Sequence, residues 1–185
     1  MTITTQTRFV RVWLARLLAG ALAIGNGVGG TGSATQTLDA TLQPEAELSV
    51  PTSLLLSAGA SQFAPFTGTL TVSYRARTTP SGGGTLTVEV SSDFSPTGGP
   101  SAAAGALSFT CSGAGLGTAC SGTQTASTTS QTTMVNLPAS ACTGGGGSCC
   151  ASDPASVSVN FSLTDSPAYS TGYYSASVIF RISAT

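Results

Sequence analysis

The chain has 185 residues, of which only 7% are charged, and it contains neither histidine nor lysine. Those absences remove the usual general base for a serine or cysteine nucleophile, and with it Ser–Lys dyads, Schiff-base chemistry and Lys–Asn isopeptide crosslinks. All six basic residues are arginines, three of them within the first 16 positions, so the remainder is weakly acidic. Such a surface does not neutralise a row of phosphates, which argues against nucleic acid and anionic lipid as partners.

Arg8, Arg11 and Arg16 precede an apolar run over residues 17–24, and small residues follow as far as Ala34. A charged, then apolar, then small-residue order is that of a secretory signal, with Gly32 and Ala34 suited to the peptidase pocket. A retained anchor is the alternative. The run falls short of the ~20 residues that span a bilayer and is diluted by glycines and Asn26. The expected organisation is a signal peptide over residues 1–34 and a single domain over 35–185. That places the protein outside the cell or on its surface, exported through the periplasm if the cell is Gram-negative, and off the membrane once the signal is cleaved.

Beyond the signal, apolar residues alternate with polar ones, and no helical stripe interrupts the pattern. Leu38, Ala40 and Leu42 alternate up to Pro44, and Ala46, Leu48 and Val50 resume the run before Pro51 bends the chain into residues 54–56. Residues 67–77 form the clearest strand, with Leu70, Val72, Tyr74 and Ala76 on one face and Thr69, Thr71, Ser73, Arg75 and Arg77 on the other. One apolar and one polar face is the mark of an antiparallel sheet. The turn over 79–84 leads into Leu86, Val88 and Val90, which reads as a β-hairpin. After a Pro/Gly loop at 95–100 comes a strand with Leu107, Phe109 and Cys111, then a Gly/Ser/Thr-rich stretch to Gln131. A weaker strand over 132–137 and a Gly/Cys loop over 139–154 follow. Two strong strands close the chain, carrying Val157, Val159, Phe161 and Leu163, and then Tyr174, Ala176, Val178, Phe180 and Ile182. Seven to nine short strands predict an all-β, antiparallel two-sheet sandwich of Greek-key, immunoglobulin-like type, with a closed barrel as the alternative. In the connection at 165–174, Tyr169 is placed either to return its hydroxyl to the backbone as a tyrosine corner or to cover the end of the core.

Five cysteines, Cys111, Cys120, Cys142, Cys149 and Cys150, lie in or beside Gly/Ser-rich loops. In an exported chain they read as loop-restraining disulfides, Cys111 with Cys120 and Cys142 with Cys149 or Cys150, leaving one over. Zinc is rejected, because there is no CxxC pair and no histidine. The acids Asp39, Glu45, Glu47, Asp93, Asp153 and Asp165 read as solvated residues of strand ends and turns, and Glu89 as facing solvent from its strand. A calcium site at Asp153 or Asp165 and a glycosidase carboxylate pair carry only weak signals. The glycine run at 144–147 is a connector, since no Lys-Ser/Thr follows it as in a phosphate loop. No cofactor, metal or catalytic residue is assigned.

The stretches TLDATLQPEAELSVPTSLLL (37–56) and YSTGYYSASVIFRISAT (169–185) resemble the two ends of bacterial secreted pilin-like sandwiches, among them fimbrial subunits and spore-coat-U-type domains. Gly172, Tyr174 and the strand to Ile182 match the "Gly-x-Tyr" turn and final strand of that family, whose early cysteine is replaced here by a stretch holding Glu45 and Glu47. The resemblance implies a cell-surface structural or adhesive protein, a fimbrial-type filament subunit that partners itself or other surface proteins. Residues 37–42 would then add a strand to a neighbour's sheet. The alternative is an extracellular binding module for carbohydrate or another surface ligand, drawing on the aromatics Phe63, Phe66, Phe94, Tyr169 and Tyr173. Of these, Phe63 and Phe66 read first as covers for the core.

Overall fold

The computed structural model describes residues 36–144 and 151–185; the predicted signal and Cys149 and Cys150 lie outside the described residues. Among the described residues nine strands are formed: β1 (Glu45–Ser49), β2 (Phe66–Arg77), β3 (Gly84–Ser95), β4 (Leu107–Ser112), β5 (Thr118–Ala119), β6 (Gln124–Thr125), β7 (Thr132–Leu137), β8 (Ala155–Leu163) and β9 (Ser175–Ala184). They pair as two separate antiparallel sheets, a five-stranded one ordered β1-β2-β8-β4-β6 and a four-stranded one ordered β5-β7-β3-β9. The fold is therefore an all-β sandwich, and among the described residues there is no helix.

Period-two patterning accounts for this architecture. Leu70, Val72, Tyr74 and Ala76 of β2 and Val157, Val159, Phe161 and Leu163 of β8 are all buried, as are Leu86, Val88 and Val90 of β3 and Val178 and Phe180 of β9. Each strand thus offers one apolar row, and the two sheets bury these rows against each other. Between them, the Phe109 and Phe161 rings pack with centroids 5.7 Å apart and a 47° tilt. Fully burying a side chain of this size contributes roughly 1.5–3 kcal/mol, so these rows are the main stabilising term.

The expected hairpin between β2 and β3 does not form. β2 pairs with β1 and β8, whereas β3 pairs with β7 and β9. From β2 onward successive strands alternate between the sheets, so the connection over residues 78–83 crosses one end of the sandwich. It is tied there by several hydrogen bonds. Thr79 N–H donates to the Thr185 carbonyl (3.0 Å). The Thr78 hydroxyl donates to the Pro138 carbonyl and accepts from Ala141 N–H, each at 2.8 Å. A Cβ on Gly82 would stand 1.9 Å from the Thr185 carbonyl oxygen, so only glycine fits this crossing. A turn-rich junction between two apolar runs predicts a reversal, but it does not say which sheet the second strand joins.

The Gly/Ser/Thr-rich stretch after β4 supplies the two-residue strands β5 and β6. It is held to the core by Tyr74, whose hydroxyl donates to the Leu116 carbonyl (2.6 Å) and accepts from Leu116 N–H (3.3 Å). The Cys111–Cys120 disulfide closes the same region. Cys142 is also disulfide-bonded.

Four of the acids expected as solvated groups also form ion pairs at the surface. Glu45 and Glu47 lie on β1 directly opposite Arg77 and Arg75 of β2, and their carboxylates meet those guanidinium groups at 3.3 and 2.9 Å. Arg75 also bonds Asp153, and Arg181 of β9 bonds Glu89 of β3. Cross-strand pairs of this kind fix register more than they stabilise.

Apart from the undescribed residues 145–150, residues 43–185 belong to one compact unit, and residues 36–42 are not part of it. Residues 36–42 carry no strand, and Leu38 and Leu42 are 85% and 74% exposed.

Replacing Phe161 by alanine removes a ring from the middle of the inter-sheet core and should cost about 3–5 kcal/mol in urea unfolding. Opening the Cys111–Cys120 loop with paired alanines should cost about 2–3 kcal/mol. A loss below about 1 kcal/mol for Phe161→Ala would contradict the core assignment.

Candidate functional site

At the end of the sandwich where β2 starts, β3 and β8 finish and β9 starts, the loops enclose a cleft of about 430 Å³. Its floor is made by Phe66, Phe94 and Leu163, which also seal the core. One wall is the segment between β1 and β2, carrying Leu55, Leu56 and Phe63. Backbone bonds in both directions between Ser57 and Thr67 (2.8 Å each) dock this segment on β2, and Ala64 N–H donating to Ser61 O (3.2 Å) closes the turn that presents Phe63. Phe63 has φ = 56°, a left-handed conformation that is a genuine outlier for a bulky residue. The ring it carries is 56% exposed rather than spent on the core.

The facing wall is the loop after β8, with Asp165, Tyr169, Tyr173 and Tyr174, and Pro100 comes from the loop after β3. These two loops are stitched together. Ser170 N–H donates to the Gly98 carbonyl (2.9 Å). The Tyr174 hydroxyl donates to the Ser170 carbonyl (2.7 Å). Of the two readings for Tyr169, the corner bond is made instead by Tyr174, four residues beyond its acceptor, while Tyr169 lines the cleft. The Tyr174 ring lies against Gly99, where a Cβ would fall 2.2 Å from it.

All five aromatics singled out in the sequence, Phe63, Phe66, Phe94, Tyr169 and Tyr173, therefore line one cleft. The sequence reading missed Leu55, Pro100 and Tyr174 in the lining, and it missed Asp93. That residue organises the loop after β3. Asp93 Oδ1 accepts from Phe94 N–H (2.8 Å) and Ala102 N–H (2.7 Å), and Oδ2 accepts from the Ser101 hydroxyl (2.6 Å) and Ala103 N–H (3.4 Å). Burial pushes this carboxyl up, but the bonds from Ser101, Ala102, Phe94 and Ala103 outweigh it and hold the group below its ordinary range. A Ser-Asp pairing eight residues apart was the available signal, though nothing in the alternation points to it.

Among the described residues no three of cysteine, aspartate and glutamate stand together as metal ligands. Asp153 is engaged by Arg75, and Asp165 Oδ1 accepts from Ser166 N–H (2.8 Å). Asp165 is the one charged side chain in the cleft lining.

A second feature concerns the sheet edges. The ten-residue β9 ends its sheet and pairs on one side only, with β3, so among the described residues its outer edge has no strand partner. The five-residue β1, at the edge of the other sheet, lies beside it. Compared with family models, curated proteins and solved structures, the chain matches none.

Replacing Asp93 by asparagine should cost about 1–3 kcal/mol at neutral pH, because charge-assisted bonds to three N–H groups and a hydroxyl are weakened. The Asp93 carboxyl titrates lower in the folded state than in the unfolded one, so its contribution is complete above the unfolded value of about 3.9 and is lost as pH falls through the lowered folded value. Chemical denaturation between about pH 6 and 2 should therefore show the gap between wild type and variant closing only at the acid end; a gap independent of pH would contradict the role given to the carboxylate.

Proposed function

We propose that this chain is an exported structural or adhesive protein of the cell surface, a filament-forming subunit of fimbrial type that performs no catalysis. The observation that carries this reading is the outer edge of β9. A ten-residue strand pairing on one side only is a template for another strand, and soluble proteins commonly blunt such edges with charge, proline or a bulge. The outer run of β9 is charge-poor, with Arg181 as its one charged residue. Residues 37–42 complement it, alternating apolar and polar and leaving Leu38 and Leu42 exposed. Added to a second copy's β9, this segment would contribute main-chain bonds for affinity and alternate side chains for register. The partner is thus the protein itself or another cell-surface protein.

The convergence of the five aromatics in one cleft favours a second reading, an extracellular binding module. The two are compatible, since β1 begins at the opposite end of the sandwich from the cleft. A domain tethered through its N-terminal side would present the cleft about 40 Å away, the length of the twelve-residue β2. Against catalysis stands the single carboxylate of the cleft, where hydrolysis of a glycoside requires a pair.

Size-exclusion chromatography and electron microscopy of the exported protein should show concentration-dependent oligomers or filaments that vanish on deletion of residues 35–43. A strictly monomeric protein, unaltered by that deletion, would remove the assembly reading.

A further inference from the structure

The geometry points to the aromatic cleft as a site for a small organic cation of the quaternary ammonium class, seated on ring faces with Asp165 as its counter-charge. The inference rests on the reading of the cleft as a binding site and names its ligand chemistry.

Three observations lead there. First, the sign of the site is fixed: the lining holds one charged side chain, Asp165, and no arginine. The three arginines of the sandwich, Arg75, Arg77 and Arg181, are elsewhere and already paired with Glu47, Asp153, Glu45 and Glu89. An anion would enter with no positive partner, whereas a cation finds a carboxylate whose Oδ1 is oriented by the Ser166 N–H. Second, the walls are rings. Phe63 and Tyr173, on different loops, stand 56% and 64% exposed, and Phe66, Phe94, Tyr169 and Tyr174 complete the lining. The negative face of an aromatic ring attracts a cation, and a cage of several rings suits a charge spread over methyl groups, which is weakly hydrated and cheap to strip of water. Third, the walls are held in place. The Ser170–Gly98 and Tyr174–Ser170 bonds fix one side, and Phe63 is presented from a left-handed backbone position that costs free energy to hold. A cleft of about 430 Å³ lies in the range of small-molecule sites and leaves room for a body attached to the ammonium group.

The probe is choline, titrated into the exported protein and followed by tyrosine fluorescence and calorimetry. Three of the four tyrosines line the cleft and the single tryptophan, Trp13, precedes residue 35, so the optical signal reports the site. The control is 3,3-dimethylbutan-1-ol, choline's neutral isostere. The expected result is saturable binding of choline at least ~10-fold tighter than of the isostere, a margin that cation–π and carboxylate contacts supply together. Asp165→Asn and Phe63→Ala should each weaken choline by ~5-fold or more while unfolding at the wild-type temperature. Glu47→Gln, on β1 at the far end, should bind as wild type does. Equal affinity for choline and isostere would overturn the inference, since the cleft would then select apolar bulk alone. Saturable binding of a neutral oligosaccharide such as cellobiose without binding of choline would overturn it too, yet keep the binding-module reading. No response to any of the three would sink both.

Discussion

Everything in this molecule depends on two apolar sheet faces being buried against each other. The chain has few charges, no described helix and only two-residue strands in its glycine-rich middle. What remains to hold it is the row of side chains that β2, β4 and β8 turn toward β3, β7 and β9, centred on Tyr74, Phe109, Phe161 and Met134. Burial on this scale is non-directional, so the direction comes from backbone pairing. The alternation of successive strands between sheets makes most of those pairings distant in sequence. Such a topology folds slowly and closes only when both sheets are present.

The same constraint produces the cleft. Because β2, β3, β8 and β9 all begin or end on one side, their connections are crowded together there and must satisfy their own polar groups. Asp93 answers three N–H groups of its loop, Tyr174 answers the Ser170 carbonyl, and Ser170 answers Gly98. The aromatic side chains of the same loops line the concavity. At the other end, the crossing at Gly82 and the C-terminal strand close the sandwich tightly. The two ends therefore differ in kind, one sealed and one open.

The inner rows of β2, β3, β4, β8 and β9 were legible in the sequence because burial on one face writes itself as period two, residue by residue. The pairing partners were not. The junction between β2 and β3 has the composition of a hairpin, and only the demand that each apolar row face an opposing sheet separates the two strands. Residues 37–42 show the converse: their alternation is as regular as that of β1, yet they carry no strand, since alternation states a capacity for pairing and not a partner. Five cleft aromatics were recognisable as a set because aromatic side chains are few in this chain. Their convergence was not, since it arises from loops separated by a hundred residues. Asp93 escaped notice for a related reason: a carboxylate that caps its own loop has the same sequence context as one left in water. The Cys111–Cys120 bridge was legible from spacing in a glycine-rich loop.

The central proposal is that the outer edge of β9, which pairs with no strand within the described residues, takes up residues 37–42 of another copy. Hydrogen exchange measured residue by residue along β9, at low and at high protein concentration, tests it most directly. The account predicts that alternate amides of β9, those not bonded to β3, exchange freely in dilute protein. It further predicts that they become protected on concentration together with amides of residues 37–42. Uniform protection of β9 at every concentration, or unchanged exchange in residues 37–42, would contradict it.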